Sequence, residues 1–75
     1  MMNRERRKKL EKAFEKIGEV KDILEEVKDE EQESLENLPD NFRYGERGEE
    51  MESYIEMLDE AHGYLSDAES VIEQI

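Results

Sequence analysis

Two apolar repeats on either side of one break predict an all-α protein, an antiparallel two-helix hairpin of coiled-coil type. The first repeat places Leu10, Ala13, Ile17, Val20, Leu24 and Val27 at alternating steps of three and four residues. The second does the same with Met51, Tyr54, Leu58, Ala61, Leu65, Ala68, Ile72 and Ile75. Such spacing keeps one stripe of each helix turned toward a partner helix. The break between them holds the chain's one proline, Pro39, followed by Gly45 and Gly48. Further apolar residues flank both stripes, so two hairpins are expected to dimerise into a four-helix bundle.

Taken in order, a single domain over residues 1–75 divides into helix one at about 3–37, a loop at about 38–47 and helix two at about 48–74. Asn3 suits the N-cap, and Met1 to Arg7 are expected to fray. Gly18 falls beside the stripe on the solvent side. Pro39 ends the first helix because the residue before a proline is pushed out of helical geometry. The connection Leu38-Pro39-Asp40-Asn41-Phe42-Arg43-Tyr44-Gly45-Glu46-Arg47-Gly48 reads as a loop with room for one helical turn near Asp40 to Tyr44. Phe42 and Tyr44 are expected to fold over the end of the bundle. Helix two starts near Glu46 to Glu49, with the acidic first turn that a helix N-terminus favours.

Folding the helices back around this loop gives a register in which paired residue numbers sum to about 85. Leu10 then meets Ile75, Ala13 meets Ile72, Ile17 meets Ala68, Val20 meets Leu65, Leu24 meets Ala61, and Val27 meets Leu58. Alanines opposite larger residues let facing layers interdigitate. The basic stretch Arg4, Arg6, Arg7, Lys8 and Lys9 falls beside Asp67, Glu69 and Glu73 and the carbonyl end of helix two, whereas residues 48–75 contain no Lys or Arg. Near the loop the stripe turns polar at Glu31 and Ser34, opposite Tyr54 and Met51. There the Tyr54 hydroxyl is expected to donate to Glu31, or the bundle end simply hydrates.

The flanks decide the assembly. Ile55 lies on one side of the second stripe and Met57, Tyr64 and Val71 on the other, while Phe14 and Ile23 flank the first. The residues expected to build the core and the dimer are Phe14, Ile17, Ile23, Leu24, Ile55, Leu58, Tyr64, Leu65, Val71 and Ile72. A two-fold homodimer is the economical cover, and a monomer offering an apolar groove to a different partner is the rival.

Composition narrows the function classes. A chain of 75 residues without cysteine cannot lean on disulfides or thiolate metal sites, so regular helix packing or oligomerisation must stabilise it. With 23 acidic against 11 basic residues, a formal net charge of -12, direct nucleic-acid binding is not expected. No apolar run is long enough for a membrane span, and the basic start lacks the apolar stretch of a secretion signal. These points suggest a soluble cytoplasmic protein with no cofactor and no metal.

Four clusters are candidate sites. Carboxylates on Glu26, Asp29, Glu30 and Glu33 continue toward Glu49, Glu52 and Glu56, a row that could imitate a phosphate backbone for a heterologous protein partner or serve only as a solvated face. The pairs Glu33/Glu36 and Glu56/Asp59 resemble those of metal-dependent nucleotide pyrophosphohydrolases of the MazG type, which implies Mg²⁺-assisted hydrolysis, yet all four fall off the apolar stripe. Asp59-Glu60-Ala61-His62 is similar to the carboxylate-x-x-His motif of di-iron bundles, although His62 is the only histidine. The cations Arg4, Arg6, Arg7, Lys8, Lys9, Lys12 and Lys16 could touch phosphates or balance the acidic second helix.

The stretch Glu25 to Pro39, EEVKDEEQESLENLP, followed by Gly45 to Glu52, GERGEEME, resembles a group of small uncharacterised acidic helical-hairpin proteins from Gram-positive bacteria and their phages. The likeness spans the second half of helix one through the start of helix two. It implies a phage or prophage accessory setting, in which small acidic proteins inhibit host machinery. The leading expectation is therefore a non-enzymatic protein-binding module that inhibits a nucleic-acid-binding host or defence protein through its acidic face. The alternatives are a structural or adaptor dimer and, more remotely, the hydrolase.

Overall fold

A computed structural model describes residues 2–75; Met1, counted in the expected domain and its frayed start, lies outside the described residues. Three helices follow one another: α1 (Arg4–Glu36), α2 (Asp40–Arg43) and α3 (Glu46–Glu73). The long helices α1 and α3 pack against each other as a hairpin, and the short α2 caps the turn against the start of α3. The result is a rod 59 × 15 × 11 Å with a radius of gyration of 17.4 Å. A compact domain of this length has a radius of about 11 Å.

The helix ends have local causes. The Asn3 side chain accepts a hydrogen bond from the Arg6 backbone N–H at 2.9 Å, so the helix is already formed at Arg4 and Arg4 to Arg7 are not frayed. At the far end of α1 the Asn37 N–H closes onto the Glu33 carbonyl, and Pro39 leaves the helix with extended backbone. The Phe42 and Arg43 amides both return to the Pro39 carbonyl, which closes the single turn of α2. Arg7 reaches across the open end of the rod to donate to the Ile75 carbonyl at 3.4 Å, the cation-to-carbonyl match that the basic start of α1 suggests.

Burial is concentrated at the loop end. Leu35, 3 % exposed, is the one buried hydrophobic residue among those described, and Gly48 is buried beside α2. A Cβ on Gly48 would run into the Arg43 backbone carbonyl, so only glycine lets α3 start this close to the end of α2. Phe42 and Tyr44 do not cover the bundle end as expected: they are 48 % and 76 % exposed. Leu35 and Leu38 from α1 and its exit fill that place, because α2 turns the aromatic side chains outward.

Along the shaft the seam differs in phase from the expected one. The half-buried positions of α1 are Leu10, Ala13, Phe14, Ile17, Gly18, Lys21, Leu24, Lys28, Glu31 and Gln32, leading to Leu35; those of α3 are Met51, Ile55, Leu58, Ala61, His62, Leu65, Ser66, Ala68, Glu69 and Ile72. Leu10, Ile17, Leu24, Met51, Leu58, Leu65 and Ile72 therefore hold their expected layers. In the layers between, Ala13, Ala61 and Ala68 also stay half-buried as expected, with Phe14 beside Ala13, while Lys21 and Lys28 replace Val20 and Val27 and Ile55 replaces Tyr54. Phe14 and Ile55 thus belong to the hairpin seam and not to its flanks, whereas Val20, Val27 and Tyr54 are exposed. The physical reason is electrostatic: Lys21 and Lys28 lay their methylene stems along the seam and deliver their ammonium groups to carboxylates of α3.

Candidate interaction surfaces

Lys21 Nζ meets Glu69 Oε1 at 2.6 Å and Lys28 Nζ meets Asp59 Oδ1 at 2.8 Å; these are the two ion pairs between the long helices among the described residues. The hydrogen bond from Lys28 holds the Asp59 carboxyl below its ordinary value, and the same bond raises the Lys28 ammonium above its own. His62 lies beside this pair with Leu24, Glu25 and Leu58. Tyr54 does not donate to Glu31 as expected. Its hydroxyl donates to Glu50 at 2.6 Å, one turn earlier on its own helix, and that bond raises the phenol above its ordinary value. Tyr64 repeats the arrangement with Glu60 at 3.0 Å.

Moving the seam by one notch uncovers a second stripe on each helix. On α3 it runs Tyr54, Met57, Ala61, Tyr64, Ala68, Val71 and Ile75; on α1 it runs Ala13, Lys16, Val20, Ile23, Val27, Glu30 and Ser34. At about 100° per residue, each stripe trails its seam by roughly 90° in the same rotational sense. Because α1 and α3 run in opposite directions, equal rotations bring both stripes to the same side of the hairpin. One face therefore gathers Val20, Ile23, Val27, Tyr54, Met57, Tyr64, Val71 and Ile75, all of them exposed. The ion pairs of Lys21 and Lys28 lie on the opposite side.

The acidic candidates are all exposed. Glu26 and Glu33 fall on the back of α1, whereas Asp29, Glu49, Glu52 and Glu56 each follow a half-buried or buried seam position by one residue and so fall toward the side opposite the apolar face. Glu30, one residue before the half-buried Glu31, borders the apolar face. Of the Glu56/Asp59 pair, Asp59 is engaged by Lys28. Among the described residues no three His, Cys, Asp or Glu side chains converge as metal ligands do. No described helix is long and apolar enough to cross a membrane.

Of the ten residues expected for core and dimer, Phe14, Ile17, Leu24, Ile55, Leu58, Leu65 and Ile72 line the seam, and Ile23, Tyr64 and Val71 stand on the exposed face. Sequence reasoning missed the seam lysines, Leu35 and Gly48. The signal for the lysines was present, since Leu10, Phe14, Ile17, Lys21, Leu24, Lys28, Glu31 and Leu35 also follow alternating steps of four and three.

Compared with known proteins, the chain matches no family model, no curated protein and no solved structure.

Proposed function

We propose that this chain is a non-enzymatic interaction module that pairs with a second copy as a four-helix bundle and uses its outer carboxylate rows to engage a cationic protein. The observation that carries this is the one-sided apolar face. A hairpin that leaves eight large hydrophobic side chains exposed on a single side is half of a bundle, and a two-fold pair is the commonest way to complete it. Surface area agrees: the chain presents 6147 Å², against about 4,800 Å² for a compact monomer of its mass. The excess is on the order of what each partner loses in a stable interface, ~800 Å² or more.

Pairing through the apolar face leaves the opposite side of each hairpin outside, so the dimer would offer carboxylates along both outer sides of a narrow rod. Spaced negative charge of this kind suits the cationic groove of a nucleic-acid-binding protein, and inhibition of such a host or defence protein is the specific form that we propose.

Sedimentation velocity across a wide concentration range tests the pairing; a mass of 8.9 kDa throughout would refute it. For the outer rows, a variant carrying Glu26→Gln, Asp29→Asn, Glu30→Gln and Glu33→Gln should lose capture of DNA-binding proteins that the parent retains and that added DNA displaces. Undiminished capture would leave the dimer as a structural adaptor whose charge serves only solubility.

A further inference from the structure

Resting on the proposed pairing, we infer that the second copy docks antiparallel, its loop at the opposite end, with the two-fold axis crossing the apolar face at Ile23 and Tyr64. The order of side chains along the two outer stripes points to this axis. Read from Tyr64 outward, the α3 stripe is nearly a palindrome: Ala61 and Ala68 one step away, Met57 and Val71 two steps, Tyr54 and Ile75 three steps. The α1 stripe behaves the same way about Ile23: Val20 and Val27 one step away, Lys16 and Glu30 two steps, Ala13 and Ser34 three steps. A two-fold axis perpendicular to the rod superposes each stripe on its own reversal, so like-sized side chains meet and every layer repeats on both sides.

Two independent features agree with this axis. First, the two centres lie nearly level with each other. Counting along both helices, the Lys28–Asp59 ion pair puts Ile23 level with Tyr64 and the Lys21–Glu69 pair puts it level with Asp67, so the two centres agree to within one helical turn. The stripes therefore share one axis and need not compromise between two. These are also among the most exposed apolar residues of the shaft, at 58 % and 66 %. The alanines on either side of Tyr64 leave room for the partner's ring beside the helix backbone, where a larger residue would hold the two α3 helices apart.

Second, the face is charged unequally along its length. Lys9, Lys12 and Lys16 border it toward the open end, and Glu30, Glu46 and Glu50 border it toward the loop. A parallel pair, loops together, would lay each α1 over the α3 of the second copy, so that Lys16 and Glu30 would not meet. The antiparallel pair brings each Lys16 to the Glu30 of the second copy and Lys9 to the region of Glu50. Lys16 and Glu30 then meet between copies while the apolar middle closes, a contact that only the antiparallel orientation makes.

The chain has no cysteine, so introduced thiols report the orientation directly. Tyr64→Cys alone should form a disulfide-linked dimer on mild oxidation, and Tyr54→Cys alone should not, because its counterpart is Ile75 of the other copy. The pair Tyr54→Cys with Ile75→Cys should link. Linking through Tyr54→Cys with Ser34→Cys instead, in a protein that sediments as a dimer, would overturn the antiparallel axis and leave the pairing standing. A protein that sediments as a monomer would overturn both. A charge swap gives a readout that does not depend on cysteine. Lys16→Glu should weaken dimerisation on the order of tenfold, and Lys16→Glu with Glu30→Lys should restore it. These two residues are about 21 Å apart within one α1, so a rescue can act only between copies. Failure of that rescue in a dimeric protein would again count against the axis.

Discussion

The two ends of this hairpin are built to different standards. At the loop, Leu35 is buried, α2 closes the turn and Gly48 admits a backbone contact that no other residue tolerates. Along the shaft, the seam layers are only half-buried, two of them are filled by lysine stems, and a full side of the rod exposes valine, isoleucine, methionine and tyrosine. The loop end is finished by the chain itself. The shaft has the composition of a core and the exposure of a surface, and this contrast teaches that the chain encodes a turn completely but a bundle only in part.

The contrast can be broken first at the loop. Gly48→Ala should cost about 3–4 kcal/mol, because the added methyl forces α2 away from α3; thermal or urea unfolding measures it. Leu35→Ala should cost about 2–4 kcal/mol and by the same amount at every protein concentration, since its packing is internal to one chain. Ile23→Ala sharpens the comparison. Its effect on the melting temperature should be negligible in dilute protein and grow as concentration rises, as mass action requires of an interface residue. An effect independent of concentration would return the shaft to the status of an ordinary surface.

Smaller effects test the electrostatic seam. Lys21→Ala should cost about 1 kcal/mol by removing a partly shielded ion pair and its apolar stem. The Lys28–Asp59 pair carries a definite pH signature. Asp59 sits below its ordinary value of 3.8, so its contribution is present above that pH and fades as pH falls below it. Lys28 sits above its ordinary value of 10.5, so its contribution is present below that pH and fades as pH rises beyond it. The stability gap between the parent and Asp59→Asn should therefore be widest between these limits and close at both, as followed by urea denaturation at several pH values. Finally, Gly18→Ala and Gly63→Ala should each stabilise by about 0.5–1 kcal/mol, since a Cβ at either site meets only open space.

Much of the architecture was legible in the residues. Asn3 as cap, Pro39 as the end of α1, one helical turn after it, and every second seam layer follow from local rules that need no knowledge of the partner helix. The carboxylates expected to contact a partner were legible as exposed positions, but the side of the rod that each one takes was not. That side depends on where the seam runs, and the seam was displaced by lysines that a hydrophobicity pattern scores as solvent-facing.

What the sequence by itself determined is therefore the helices, their ends and their antiparallel fold, because capping, proline geometry and apolar periodicity act within a few residues of one another. Only the tertiary structure decided which of two interleaved heptad stripes closes the hairpin. Both stripes are apolar enough to pack, and the choice falls to ion pairs between residues 31 and 48 positions apart, whose partners become visible only once α3 lies against α1. That choice leaves the other stripe facing outward and sets the surface on which the proposed assembly depends.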